Sequence, residues 1–232
     1  MISQAWREAG LQTLPVMFGY LPLGAAFGIL AVEMGIPWYA AMAMSFLIYA
    51  GAGQFLAIAL LASGAGIIEV AVATLMLNSR HVFYGLSLLK RFQGAGWRKP
   101  YLIFALTDET YSLLTSQSGS NAANHSLAFR ISLLNQFWWV LGTLLGVAVG
   151  SAKLFDSQGI EFALTALFIV LTLEQARRLR QALPFIIALG TGFGALLWLP
   201  DQHLLLGAIG SASLLLLVHY HLASKRSHGH AS

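Results

Sequence analysis

"ISLLNQFWWVLGTLLGVAVGSA", Ile131 to Ala152, runs for 22 residues without a charge, between Arg130 and Lys153. A helix needs about 20 such residues to cross the hydrocarbon core of a bilayer. Charge-free runs of similar or greater length lie between Glu33 and Glu69, between Arg180 and Asp201, and between Asp201 and Lys225. None alternates in the manner of a half-buried strand, which leaves helices as the spanning element. Composition agrees: 57% of the 232 residues are hydrophobic and 9% charged, against about 25% charged in a soluble domain. Such a chain cannot cover a water-facing surface.

Eight apolar segments follow one another: Thr13 to Val32, Trp38 to Ser63, Gly66 to Leu89, Tyr101 to Gln117, Ile131 to Ala152, Phe162 to Leu173, Leu183 to Pro200 and Leu204 to Leu222. The reading is an all-α polytopic membrane bundle of about 7–8 transmembrane segments. A tail over 1–12, one membrane domain over 13–222 and a tail over 223–232 make up its organisation. The first segment reads as an uncleaved helix, because a signal peptide has a shorter core and a small-residue cleavage site. Basic residues cluster at Lys90, Arg91, Arg98 and Lys99, at Arg177, Arg178 and Arg180, and at Lys225 and Arg226. By the positive-inside rule all three clusters belong in the cytoplasm. Two segments separate the last two clusters, but three separate the first two. Either one segment between Tyr101 and Leu173 fails to cross fully or one of those clusters lies outside; broken or re-entrant helices would resolve the parity, and transporters build substrate sites from such helices. No internal sequence repeat stands out.

The composition also excludes functions. The net charge of +4 is spread over short loop clusters, a pattern of membrane topology rather than nucleic-acid binding. The chain has no cysteine, so thiolate metal sites and cysteine nucleophiles are absent. It contains no Gly-Lys dipeptide, hence no P-loop and no nucleotide site. It also lacks the serine-elbow and zincin motifs of hydrolases. No cofactor or metal is called for; His219, His221, His228 and His230 read as a solvated tail, and the chain reads as a non-enzyme.

Three stretches carry polar groups where lipid should forbid them. The first holds Asn78, Arg80 and His81 inside "NSRHVFYG". Arg80 precedes the interfacial Arg91 by 11 residues, about 16 Å at 1.5 Å per residue. The second is "TDETY", Thr107 to Tyr111. Folding the third and fourth segments as a hairpin about Ala95 and Gly96 sets Arg80 level with Tyr111 and within a turn of Asp108. An intramembrane charge is tolerated when paired and facing a cavity. The third is "YAGAGQF", Tyr49 to Phe55, where Gly51 and Gly53 weaken a helix beside Gln54. Small residues at four-residue spacing, Gly24/Gly28, Gly142/Gly146/Gly150 and Gly190/Gly194, mark faces for close helix packing.

"YAGAGQF", "NSRHVFYGLSL" and "ALTDETYSLL", in this order, resemble the AzlC-type large subunit of branched-chain amino acid exporters. The resemblance implies a secondary transporter of the bacterial inner membrane that exports leucine, isoleucine, valine and, in some members, methionine. It also implies a separately encoded small membrane subunit of the AzlD type. Tyr49, Gly51, Gln54, Asn78, Arg80, His81, Tyr84, Gly85, Asp108 and Glu109 match its motifs. All of them but Gly85, together with Gly53 and Thr107, are the candidate substrate-binding or coupling residues. In that reading Arg80 takes the substrate carboxylate, Asp108 or Glu109 its ammonium, and Phe55, Phe83 and Phe104 line part of the apolar pocket. Asp108, Glu109 or His81 carries a counter-moving proton. The competing readings are a passive pore or facilitator for a small solute, and an intramembrane enzyme using His81 with Asp108 or Glu109.

Overall fold

The computed structural model describes residues 4–62, 64–117, 124–152 and 181–228, with 169, 172, 173, 176 and 177 between the last two blocks. The described residues are helical, with no strand among them. The sixth apolar segment lies largely outside them. The chain divides into two compact units. The first comprises 1–63 and 74–160, and the second 64–73 and 161–232.

The first unit is built on two long helices, α1 (Gln4–Glu33) and α7 (His125–Ser151), both long and apolar enough to cross a membrane. Helix α1 begins at Gln4, so most of the expected N-terminal tail is helical. The two helices run side by side in the same direction. A Cβ on Gly24 would sit 2.7 Å from Trp139 O and 3.1 Å from Gly142 Cα. One on Gly28 would overlap Thr143 O, one on Gly146 would overlap Ala25 O, and one on Gly150 would press on Ile29 and Val32. The small-residue faces expected from the sequence therefore meet each other. Where lipid surrounds both helices, this backbone proximity supplies the dispersion that holds them together. Gly190 and Gly194, in the other unit, have no neighbour within 4 Å of a Cβ position.

Between these helices the second and fourth apolar segments are each broken. The second is α2 (Trp38–Leu47) and α3 (Gly51–Ala62). The break falls just before the glycines, at Tyr49, whose φ of 44° is the one positive value on a described non-glycine residue. Gly51 and Gly53 lie in the first turn of α3. There they admit close neighbours: a Cβ on Gly51 would meet the Trp139 ring at 3.3 Å, and one on Gly53 would meet Asn78 Nδ2 at 2.7 Å. The chain then turns back. Gln54 Nε2 donates to Ser45 Oγ across the hairpin at 3.2 Å. Tyr49 lies near Tyr20, whereas Phe55 packs on Phe27 at 5.6 Å. Helix α3 thus climbs α1 toward the end at which α2 began.

The fourth segment, expected to cross, is α5 (Arg98–Phe104) and α6 (Asp108–Ser116). Its partner is α4 (Ile67–Leu88), which continues past Asn78 without interruption and reaches α5 through turns with Gly94 and Gly96 at positive φ. Along α6 the contacts advance in parallel with α4: Asp108 with Arg80 and Tyr84, Tyr111 with Tyr84 and Ser87, Leu114 O and Gln117 with Arg91. Helix α6 therefore returns to the end from which α5 came, and the segment is a re-entrant hairpin. Leu88, Phe92, Leu102, Leu106, Leu114, Leu127 and Ile131 form the apolar core that seals that end.

The unit therefore repeats one pattern twice in opposite directions: a long helix, then a hairpin that enters from that helix's far end and turns back half-way. Aligned on their tips, the hairpins share a sequence echo, Phe46 to Ala50 "FLIYA" against Tyr101 to Ala105 "YLIFA". Five residues are too few to stand out until the fold aligns them.

In the second unit α8 (Leu183–Trp198) and α9 (Asp201–His228) pack as an antiparallel pair across Leu199 and Pro200. Leu199 covers Gly207, where a Cβ would overlap its Cδ1. Leu189, Phe193, Leu197 and Trp198 are exposed, a surface suited to lipid.

Candidate functional site

The two hairpin tips meet inside the first unit. Tyr49 lies 6.3 Å, ring to ring, from Phe104, and the chain beyond Phe104 unwinds at Ala105 to Thr107. Thr107 restarts it: its side chain accepts the Thr110 N–H at 3.2 Å, the N-cap bond that threonine makes well. Asp108 and Glu109 occupy the first turn of α6, where the helix dipole favours carboxylates.

Around this restart lie two polar groups. In one, Asp108 accepts from Arg80 Nη1 at 2.5 Å through Oδ2 and from Tyr84 Oη at 2.7 Å through Oδ1. Tyr84 is stacked on Tyr111 at 4.5 Å. Both Asp108 oxygens are thus held, and the pair is electrically balanced. Arg80 keeps donors to spare, and its Nε is buried with no partner. The pairing of Arg80 with Asp108 expected from the sequence is present, but a parallel α4–α6 packing makes it, not an antiparallel hairpin of crossing helices.

In the other group, Tyr20 of α1 places its hydroxyl 2.6 Å from Glu109 Oε2 and 2.6 Å from Thr107 Oγ1. The hydroxyl has one proton, so it donates to one of these two oxygens at a time. Asn135 of α7 donates to Thr110 Oγ1 at 2.9 Å. Asn135 is fully buried and its Oδ1 has no partner. Tyr49 is 3% exposed. Its hydroxyl lies close to Tyr20 and Thr110 and in the field of Glu109, yet makes no well-formed hydrogen bond. Orphaned buried polar atoms are rare in proteins, and here several face one region.

The remaining candidates divide. Gln54 is fully buried and spent at both ends, accepting from Trp139 Nε1 at 3.1 Å and donating to Ser45, which pairs with Thr143 at 2.8 Å. Asn78 covers Gly53, with its Oδ1 unpartnered. His81 Nδ1 contacts the Asn78 carbonyl at 3.1 Å, and its ring meets Tyr84 edge-on. Gly85 faces Ile103. Of the aromatics assigned to a pocket, Phe104 adjoins Tyr49, Phe55 is buried against Phe27, and Phe83 is 68% exposed on the outer side of α4. Phe83 cannot share a pocket with the other two. Sequence reasoning missed Tyr20, Thr110, Asn135 and Trp139. An asparagine in the middle of a charge-free run is itself a signal; Tyr20 carried none. Among the described residues no cluster of His, Asp and Glu is arranged to hold a metal.

The family model described as AzlC protein matches residues 15–152, which spans both hairpins and α7. The chain is 36% identical over 199 residues to the branched-chain amino acid transport protein AzlC of Bacillus subtilis, covering 84% of this chain and 78% of that protein. It is 44% identical over 176 residues to an uncharacterized membrane protein of Helicobacter pylori, covering 75% of this chain and 77% of that one. The inner membrane protein YgaZ of Escherichia coli is 32% identical, over 76% of this chain and 75% of its own length. No solved structure matches.

Proposed function

Because the chain belongs to the AzlC family of membrane proteins, we propose that it is a secondary transporter exporting branched-chain amino acids. Leucine, isoleucine and valine are its substrates, and methionine, taken by some members of the family, is the further one to test. It moves them across the bacterial inner membrane in exchange for protons, together with a small AzlD-type subunit. The observation that carries this reading is the meeting of two oppositely entering hairpin tips at a cluster of carboxylates and unpartnered polar atoms. Broken helices that converge at mid-membrane are how many transporters hold a substrate.

A zwitterionic amino acid fits the chemistry of that region. Arg80 has donors left for a carboxylate, Glu109 has no cation of its own, and Phe104 offers an apolar wall beside Tyr49. Topology follows from the basic end. Arg7, Lys90, Arg91, Arg98, Lys99 and Arg130 gather where α1 and α7 begin and α4 ends. The positive-inside rule puts that end, and the N-terminus, in the cytoplasm.

Export of labelled leucine, isoleucine, valine and methionine from cells with and without the neighbouring small-subunit gene tests the reading. The expected result is efflux that needs both genes and collapses when the proton gradient is dissipated. Equal efflux without the small gene removes the partner, and gradient-independent movement that never accumulates substrate makes the protein a facilitator.

A further inference from the structure

Resting on that transport reading, we propose that Glu109 is a single seat for which the coupling proton and the substrate ammonium compete, while Asp108 is a fixed counter-ion that carries neither. The two adjacent carboxylates differ in what holds them. Asp108 has an arginine on one oxygen and a tyrosine on the other. A carboxylate bound by two such donors, one of them cationic, is a satisfied anion. Glu109 has one neutral hydroxyl, Tyr20, on Oε2, and no ion pair is formed with it among the described residues. Counting Arg80 against the two carboxylates leaves one negative charge unbalanced at mid-membrane, where an uncompensated charge is costly. A proton neutralises Glu109 outright; the substrate ammonium pairs with it locally while Arg80 takes the carboxylate that comes with it, so the two compete for the Glu109 oxygens rather than for the net charge.

The surroundings fit an exchangeable cation better than a fixed one. Tyr20 on α1, Tyr49 at the first hairpin tip, Arg80 and His81 on α4, and Asp108 on α6 itself are the titratable or charged groups facing Glu109. From α7 come the neutral Asn135, through Thr110, and Trp139, through Tyr20. Tyr49 Oη and Asn135 Oδ1, both more than nine-tenths buried, have no hydrogen-bond partner among the described residues. A bound ammonium carries three N–H donors, enough for Glu109, Asn135 Oδ1 and the Tyr49 oxygen. A proton on Glu109 uses none of the last two. Tyr49 is thus a positioning residue that separates the two occupants. Competition for one seat gives exchange when the site reorients only with Glu109 paired to one cation or the other.

Proton release on leucine binding decides the matter. Purified protein, with any small subunit that accompanies it, is titrated with leucine across a pH series, in paired buffers of different ionisation enthalpy. The wild type is expected to bind about tenfold more weakly per pH unit on the acid limb, and to release up to about one proton per leucine there. Glu109→Gln is expected to bind weakly, independently of pH, with no release. His81→Gln keeps the release. Should Glu109→Gln fail to fold, Glu109→Asp is expected to retain release with a displaced midpoint, and Tyr49→Phe to displace the midpoint as well. Release that persists in Glu109→Gln, disappears in His81→Gln, or keeps an unmoved midpoint in both Glu109→Asp and Tyr49→Phe overturns the proposal. So does pH-independent leucine binding by the wild type. No binding of any branched-chain amino acid at any pH is a different failure, since it removes the substrate reading on which the proposal stands.

Discussion

The two hairpins carry the same motif and have been given opposite chemistry. Aligned on "FLIYA" and "YLIFA", Gln54 of the first stands where Glu109 stands in the second, and Gly53 where Asp108 stands. The first tip is neutral, and its amide is fully engaged with Trp139 and Ser45. Two glycines let a tryptophan and an asparagine press against it. The second tip bears two carboxylates, one balanced and one not. A satisfied polar network in a low-dielectric interior rigidifies its surroundings, whereas an incompletely satisfied one invites an occupant. On the proposed reading the Gln54 end of the first hairpin is scaffold, while its Tyr49 tip and the second hairpin face the exchange site.

Removing the counter-ion should have the largest effect. Arg80→Ala leaves Asp108 with Tyr84 alone, and stripping one partner from such a pair costs about 3–5 kcal/mol. Loss of folded protein after detergent extraction, seen by size-exclusion chromatography, is the expected result. Arg80→Lys keeps the charge but loses the fork, so it should fold and transport poorly; full activity would mean that Arg80 never touches substrate. Gln54→Leu strands the Trp139 N–H and Ser45, at about 1–3 kcal/mol, and should lower the melting temperature while leaving leucine affinity intact. A tenfold change in affinity would break the division of labour between the hairpins. Tyr84→Phe removes one donor from Asp108 and should cost about 1.5 kcal/mol, read in the same melts. Gly53→Ala should do least. A gain of about 0.5–1 kcal/mol from helix propensity is offset by pushing Asn78 aside, and a melting shift beyond a few degrees would show Asn78 to be less movable than its position suggests.

Hydropathy and charge spacing made the membrane class legible, along with the close packing of Gly24 and Gly28 on Gly142 and Gly146. They also made the Arg80–Asp108 pair legible, though through the wrong geometry. An apolar segment of 17 residues, Tyr101 to Gln117, has the same composition whether it crosses or doubles back. Nothing at Ala105 and Leu106 breaks a helix by itself. Thr107 followed by Asp108 and Glu109 is nevertheless a helix-start signature in mid-segment, and together with the parity of the basic clusters it marks the hairpin. Tyr20 and Asn135 became visible only when folding brought α1 and α7 to the tips, because their partners lie 89 and 25 residues away along the chain.

The re-entrant form of α5 and α6 bears on how the chain is made. Neither helix, at 7 and 9 residues, is long enough to be threaded across a bilayer during synthesis. The groups that receive the hairpin in the membrane, Asn135 for Thr110 and Gln136 for Tyr101, belong to α7, which is synthesised later. The contacts that hold the charged tip therefore form only after α7 has been made.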